Sequence, residues 1–151
     1  MYTIRQAHIK DVEHLVQMGK KFYQYSNFNK YIEYDEQSVR HTLANLILNG
    51  FLYVAEHKEQ GIIAGLAGGM GSLWLNLGTP VATELAWWVE EEHRKSPVAL
   101  RLYKAFEKWA HDKGVTTIIM SDLVIEGQAP AEKLFNKMGF SVVERSHIKK
   151  G

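Results

Sequence analysis

The strongest constraint on this chain lies in its second half, where a long amphipathic helix stands between two strand-like runs. Residues 97–113 carry an apolar stripe of Ala99, Leu102, Tyr103, Phe106 and Ala110 at helical spacing. Ser96 stands at the N-cap position, Pro97 at the first helical position and Gly114 just beyond the end. Residues 81–89 before it and 115–120 (VTTIIM) after it are rich in buried-type side chains. A strand–helix–strand unit of this kind sets its two strands parallel in one sheet.

The first half reads differently. Residues 2–7 form a short strand with Tyr2 and Ile4 on one face. Asp11 reads as the N-cap of a helix carrying Val12, Leu15, Val16 and Phe22. Asp35 opens a second helix striped by Val39, Leu43, Leu46 and Ile47 and ended by Asn49-Gly50. Residues 51–56 and 62–70 are consecutive strands joined by a polar turn. A short helix over 130–138, stopped by Gly139, and a last strand over 140–143 complete the chain. The expectation is an α/β (α+β) fold with a mixed, mostly antiparallel central sheet flanked by helices, in the order β-α-α-β-β-β-α-β-α-β.

Composition narrows the function. A length of 151 residues fits one domain, and 18 Lys+Arg against 17 Asp+Glu give no general affinity for nucleic acid or an anionic membrane. The absence of cysteine removes disulfides, zinc-thiolate sites and thiol nucleophiles, and fits a reducing cytoplasm. Residues 1–5 precede no apolar run of the signal-peptide kind, and the apolar stretch 61–75 holds five glycines and is too short for a membrane helix. Seven histidines with no pair at i,i+3 or i,i+4 lead us to expect no metal site. The run Gly65 to Gly71 lacks a following lysine and helix, so it reads as a strand with a bulge or a close backbone approach rather than a phosphate loop.

The segment from Glu84 to Leu102 carries the chemistry. A buried strand runs into the basic turn Arg94-Lys95-Ser96, which opens onto the long helix. Free N–H groups and the dipole at a helix start suit anions, phosphate above all, and two cations reinforce them. On spacing alone, a plain Ser96 cap with solvated Arg94 and Lys95 is an equal reading.

Arg94-Lys95-Ser96-Pro97-Val98-Ala99 after Val89 resembles the Arg/Gln-x-x-Gly-x-Gly/Ala motif of the GCN5-related N-acetyltransferases (GNAT superfamily). The segment from Gln128 to Phe140 is similar to the family's second pattern, Asn-x-x-Ala-x-x-x-Tyr-x-x-x-Gly-Phe. The resemblance implies acetyl-CoA as cofactor and a primary amine, of a small molecule or peptide, as acceptor. It puts the pyrophosphate on the turn amides around Lys95, Ser96, Val98, Ala99 and Leu100, and the pantetheine arm along Trp88 and Val89. It also implies that the strands over 81–89 and 115–120 splay apart around the thioester, with Gln128 and Phe135 beside the cofactor. Many relatives are dimers. The sequence departs from the pattern in three places: Pro97 replaces a glycine and lacks an N–H, Gln128 replaces Asn, and Phe135 replaces the Tyr that commonly protonates the leaving thiolate. Another donor, a water or an unprotonated departure then serves.

Glu84 is the candidate general base, because an amine nucleophile is mostly protonated at neutral pH. Strand alternation sets Glu84, Ala86 and Trp88 on one face and Leu85, Trp87 and Val89 on the other. A carboxylate among such neighbours is either functional or paired with a cation. Ser121 and Asp122 follow the next strand and are candidates for the same cleft, Ser121 as a catalytic group, beside a plain loop role. The aromatic residues Phe22, Tyr23, Tyr25, Phe28, Tyr31 and Tyr34 either line an acceptor pocket or pack as core and lid. The run Glu90-Glu91-Glu92 is either a solvated surface or an attractor of cationic amines. Without a thiol nucleophile, direct attack is expected over a thiol acetyl-enzyme. A GNAT-fold sensor that binds acyl-CoA but is catalytically weak is the alternative.

Overall fold

The computed structural model describes residues 1–125 and 127–151. Strand β1 (Tyr2–Gln6) leads through a single 3-10 turn into helix α1 (Val12–Tyr25), and α2 (Glu36–Asn49) follows. Asp35 caps α2 as expected, accepting from the Ser38 N–H at 3.1 Å. Asp11 does not cap α1 in this way. Its carboxylate accepts from the His8 N–H at 2.8 Å and from two nitrogens of Arg5 at 2.9 and 3.2 Å, so it ties the turn before α1 to β1. Strands β2 (Phe51–His57), β3 (Gly61–Ser72) and β4 (Pro80–Val89) form an antiparallel meander that β1 joins at the β2 edge. Helix α3 (Val98–Asp112) then crosses to β5 (Ile118–Ile119), which pairs parallel to β4, and α4 (Glu132–Lys137) follows. The sheet order β1-β2-β3-β4-β5 is the mixed, mostly antiparallel sheet that the sequence predicts.

Two cores sandwich this sheet. Val98, Leu102, Phe106 and Ala110 of α3 pack on Phe51, Ala55, Ile63, Leu66, Ala82 and Val89. On the other face Leu15 and Met18 of α1, with Leu43, Leu46 and Ile47 of α2, cover Leu52, Val54, Ile62 and Ala67. Among the described residues no helix is long and apolar enough to cross a membrane.

The ends of elements carry the differences from expectation. Helix α3 starts at Val98, with Pro97 at its N-cap, rather than at Pro97 behind a Ser96 cap. Ser96 Oγ donates backwards to His93 O at 2.6 Å and receives the Val98 N–H only at 3.4 Å. Strand β5 occupies two residues of the expected 115–120, and α4 is shorter than 130–138. Residues 140–143 form no strand. Phe140 instead completes a Schellman ending of α4: its N–H bonds to Phe135 O at 3.0 Å, Gly139 N–H bonds to Asn136 O at 3.2 Å, and Gly139 takes φ +88°. The Phe135 and Phe140 rings meet at 5.4 Å, the apolar contact that accompanies this motif.

The glycine-rich run is strand β3, and its register against β4 shifts between Ala67 and Gly68. Close approach explains Gly68. A Cβ there would lie 2.7 Å from the fully buried Phe106 ring and 2.8 Å from Thr83 O, whereas a Cβ on Gly69 would meet nothing within 4 Å. Gly68→Ala is therefore expected to lower stability by about 2 kcal/mol, with Gly69→Ala within about 0.5 kcal/mol of wild type in the same denaturant titration.

Candidate active site

Helix α3 has to cross over the sheet, and β4 and β5 share only the pairs Ala82↔Ile118 and Thr83↔Ile119. Beyond Thr83, β4 runs on to Val89 held by β3 alone among the described residues, and the chain after β5 leaves the sheet. The two strands part at Glu84. Its side chain is 8% exposed, and Oε1 accepts the Ser121 backbone N–H at 2.9 Å. Burial raises its pKa from 4.5 to about 7, with the Ser121 N–H pulling the other way and Asp122 adding a smaller upward push. No cation pairs with it among the described residues. Ser121 thus meets Glu84 through its backbone amide, while the residue itself is exposed.

The expected alternation along β4 does not hold. The register places Glu84 opposite Gly68 and Ala86 opposite Ala67, which leaves Leu85 unpaired in a bulge and 59% exposed. Ala82 belongs to the core under α3, and so do Trp87 and Val89, an odd interval that the extra residue reconciles. Trp88 packs on the opposite core with α1 and α2. Glu84 and Trp88 are therefore on different faces.

The turn after β4 is braced by His93, a buried residue that sequence reading passes over. In the tautomer with the proton on Nε2, His93 donates to Gln60 Oε1 at 2.7 Å and accepts from the Tyr2 hydroxyl at 2.9 Å. Its carbonyl receives both the N–H and the hydroxyl of Ser96, at 3.1 and 2.6 Å. Only the three-residue spacing from His93 to Ser96 hints at this in the sequence. At the start of α3 the N–H groups of Lys95, Ala99 and Leu100 have no backbone partner among the described residues, and Val98 has only the long Ser96 contact. That leaves a cluster of donors in the positive end of a helix. Arg94 braces the turn against α1: its guanidinium lies 4.5 Å from the Trp88 ring and 5.2 Å from the Tyr25 ring, and Nε donates to Val89 O at 2.9 Å. A further strand at this edge shares the second lone pair of Val89 O or displaces Arg94.

The segment after β5 holds the remaining expected residues. Gln128 is exposed and forms a tight turn with Ile125 around Gly127. Phe135 is buried, 5.9 Å from the Trp87 ring. Across the mouth, Asn27 in the α1–α2 connection donates to Val124 O at 2.7 Å. The aromatic residues divide: Tyr23 and Tyr34 donate to Ile32 O and Val16 O as packing, Phe22 and Tyr25 lie edge-on to Trp88, and Phe28 is half exposed. Glu90 is paired with Lys21 at 2.9 Å and also receives the Trp88 indole N–H at 3.4 Å, so it is no free acidic surface.

Comparison with known proteins agrees with this fold. The family model described as acetyltransferase (GNAT) family matches residues 17–140. No curated protein sequence matches the chain. Among solved structures, a predicted acetyltransferase from Clostridium acetobutylicum with acetyl-CoA superposes with TM-score 0.75 at 18% identity, over 99% of this chain and 96% of that one. A ribosomal-protein-alanine N-acetyltransferase from Brucella melitensis superposes at 0.76 and 12% identity, over 99% of both chains. An aminoglycoside N-acetyltransferase in complex with CoA superposes at 0.77 and 15% identity, over 100% of this chain and 95% of that one.

Burial of Glu84 has a thermodynamic consequence. A native pKa raised from 4.5 to about 7 means that the folded state binds the proton more tightly than the unfolded chain, so this residue's contribution to stability falls as pH rises from 4.5 to 7 and stays low above it. Glu84→Gln keeps an acceptor for the Ser121 N–H and removes the charge. It is expected to stabilise the fold at pH 8 by on the order of 2–3 kcal/mol and to change little at pH 4.5, as read by denaturant unfolding at the two pH values.

Proposed function

The chain belongs to the acetyltransferase (GNAT) family, and from that premise we propose that it moves acetyl from acetyl-CoA to a primary amine by direct attack, as one domain spanning residues 1–151. The observation that carries this reading is Glu84, a buried carboxylate titrating near neutral pH where β4 and β5 part. A general base works best with a pKa near the working pH, and burial supplies that here.

Acetyl-CoA supplies an electrophilic thioester carbonyl and a thiolate leaving group. The residues present fit it. The N–H groups of Lys95, Val98, Ala99 and Leu100, with the Lys95 ammonium, suit a pyrophosphate, and Pro97 costs one donor. The edge of β4 at Trp88 and Val89, unpaired among the described residues, suits an amide-bearing arm, with Arg94 beside it and Phe135 packed on Trp87, and Gln128 stands at the family's Asn position. Glu84 Oε2 takes a proton from the incoming ammonium, directly or through a water, while Oε1 is held by the Ser121 amide. Exclusion of water around the carboxylate keeps its basicity high. The acceptor is a small-molecule or peptide amine. Two relatives at this level of likeness act by name on an aminoglycoside and on a ribosomal-protein alanine. A reducing, cytoplasmic setting fits the cysteine-free sequence.

A second reading, a weakly catalytic acyl-CoA sensor, draws on Phe135 at the family's Tyr position and on Pro97 in the turn. Release of free thiol over a panel of polyamines, aminoglycosides, amino acids and peptides separates the two: one amine with turnover well above hydrolysis is expected, and binding without turnover on any of them favours the sensor. Acetyl-CoA at a hundredfold excess over Kd should stabilise the fold by about 2.7 kcal/mol in thermal unfolding. With the best amine, kcat/KM should rise with pH through about 7 and then level. Glu84→Gln should lose that limb and fall by roughly 10²–10⁴-fold.

A further inference from the structure

Trp87 and Trp88 are neighbours in sequence with opposite fates. The Trp88 indole N–H donates to Glu90, whereas the Trp87 Nε1–H is buried and has no hydrogen-bond partner among the described residues. A buried donor without an acceptor is costly, and native folds keep few of them unless something outside the protein fills the role. The bulge at Leu85 puts the Trp87 ring on the α3 and α4 face, half-buried at the β4 edge that β5 has left. There it packs against Phe135, the residue that stands where the family pattern has a hydroxyl donor.

We propose that the Trp87 indole N–H is the hydrogen-bond donor for the leaving sulfur of CoA and compensates for the hydroxyl that Phe135 lacks. The proposal rests on the acetyl-CoA reading above. Indole is too weak an acid to give up its proton, so it holds the sulfur as a thiolate rather than protonating it. As the amine nitrogen bonds to the acetyl carbon, the carbon–sulfur bond breaks and its electron pair goes to sulfur. The incoming ammonium gives one proton to Glu84 and, once its nitrogen is bonded to the acetyl carbon, a second to solvent; the thiolate, with an intrinsic pKa near ~8.5, takes its proton later from solvent. A hydrogen bond to an ionised acceptor lowers the thiol pKa by roughly one to two units, a 10- to 100-fold effect on departure.

The test is a pH titration of CoA bound to the protein, with CoA carrying ¹³C at the carbon next to sulfur and the indole N–H resonances of the protein followed in parallel. In the wild-type chain the bound thiol should titrate about one unit or more below its free value, and the Trp87 indole proton should move downfield with the same midpoint. Trp87→Phe should return the thiol to its free pKa and lower kcat roughly 10- to 100-fold with little change in KM for acetyl-CoA. Adding Phe135→Tyr to that variant should restore part of both. The indole measurement needs no substitution, so a Trp87→Phe variant that fails to fold leaves the proposal exposed to it. An indole resonance that ignores bound CoA, or moves on binding without following the thiol, overturns the assignment of Trp87 to the sulfur. Failure of CoA to bind the wild-type chain overturns the cofactor reading itself.

Discussion

Two residue pairs, Ala82 with Ile118 and Thr83 with Ile119, hold β5 to β4, and the site is defined by where that pairing stops. A strand edge without a partner exposes backbone donors and acceptors that have to be satisfied by something. Here the edge from Glu84 to Val89 is left open inside the fold, between the α3–α4 face and the connection of α1 to α2. The bulge at Leu85 changes which side chains face that opening, because one extra residue exchanges the faces of everything after it. It sends Trp87 toward α4 and Trp88 toward α1. Gly68, opposite the bulge, leaves room for the Phe106 ring that anchors α3 beneath it.

The electrostatics follow from the same parting. A carboxylate at the fork is shielded from water by both strands, yet its one hydrogen bond comes from the Ser121 amide and no cation faces it among the described residues. Desolvation then wins over hydrogen bonding, and the group titrates near neutrality. The fold carries this as a cost in stability at high pH. At the other end of the opening the balance is reversed. There a helix start offers unpaired N–H groups and a lysine to an anion, braced from behind by His93 and Arg94.

Much of this was legible in the residues. The order of elements, the parallel crossover, the cap at Asp35 and the stop at Gly114 follow from local rules, since each depends on side chains within one turn of the chain. Glu84 stood out because a carboxylate in a buried strand has few structural explanations. The irregularity at the glycine run was legible, but its extra residue on β4 was not: register depends on the partner strand, where Gly68 leaves the room that the Phe106 ring takes. For the same reason alternation misplaced Trp88 relative to Glu84. Residues 140–143 have strand composition, but Phe140 is more use to α4 as its capping contact. The role of Ser121 was hidden because its backbone, rather than its hydroxyl, reaches the carboxylate. The Trp87 N–H, without a partner among the described residues, has no signature at all in a sequence where two tryptophans stand side by side.

If the parting of β4 from β5 makes Glu84 the proposed base at neutral pH, its carboxyl titrates there. Selective ¹³C labelling of glutamate side chains, with Glu84→Gln to assign the signal, allows its carboxyl resonance to be titrated in the folded protein. A midpoint of about 7 is expected. A midpoint in the ordinary carboxylate range, near ~4.3, would contradict it, because the residue would then be solvated or paired with a cation rather than held by burial.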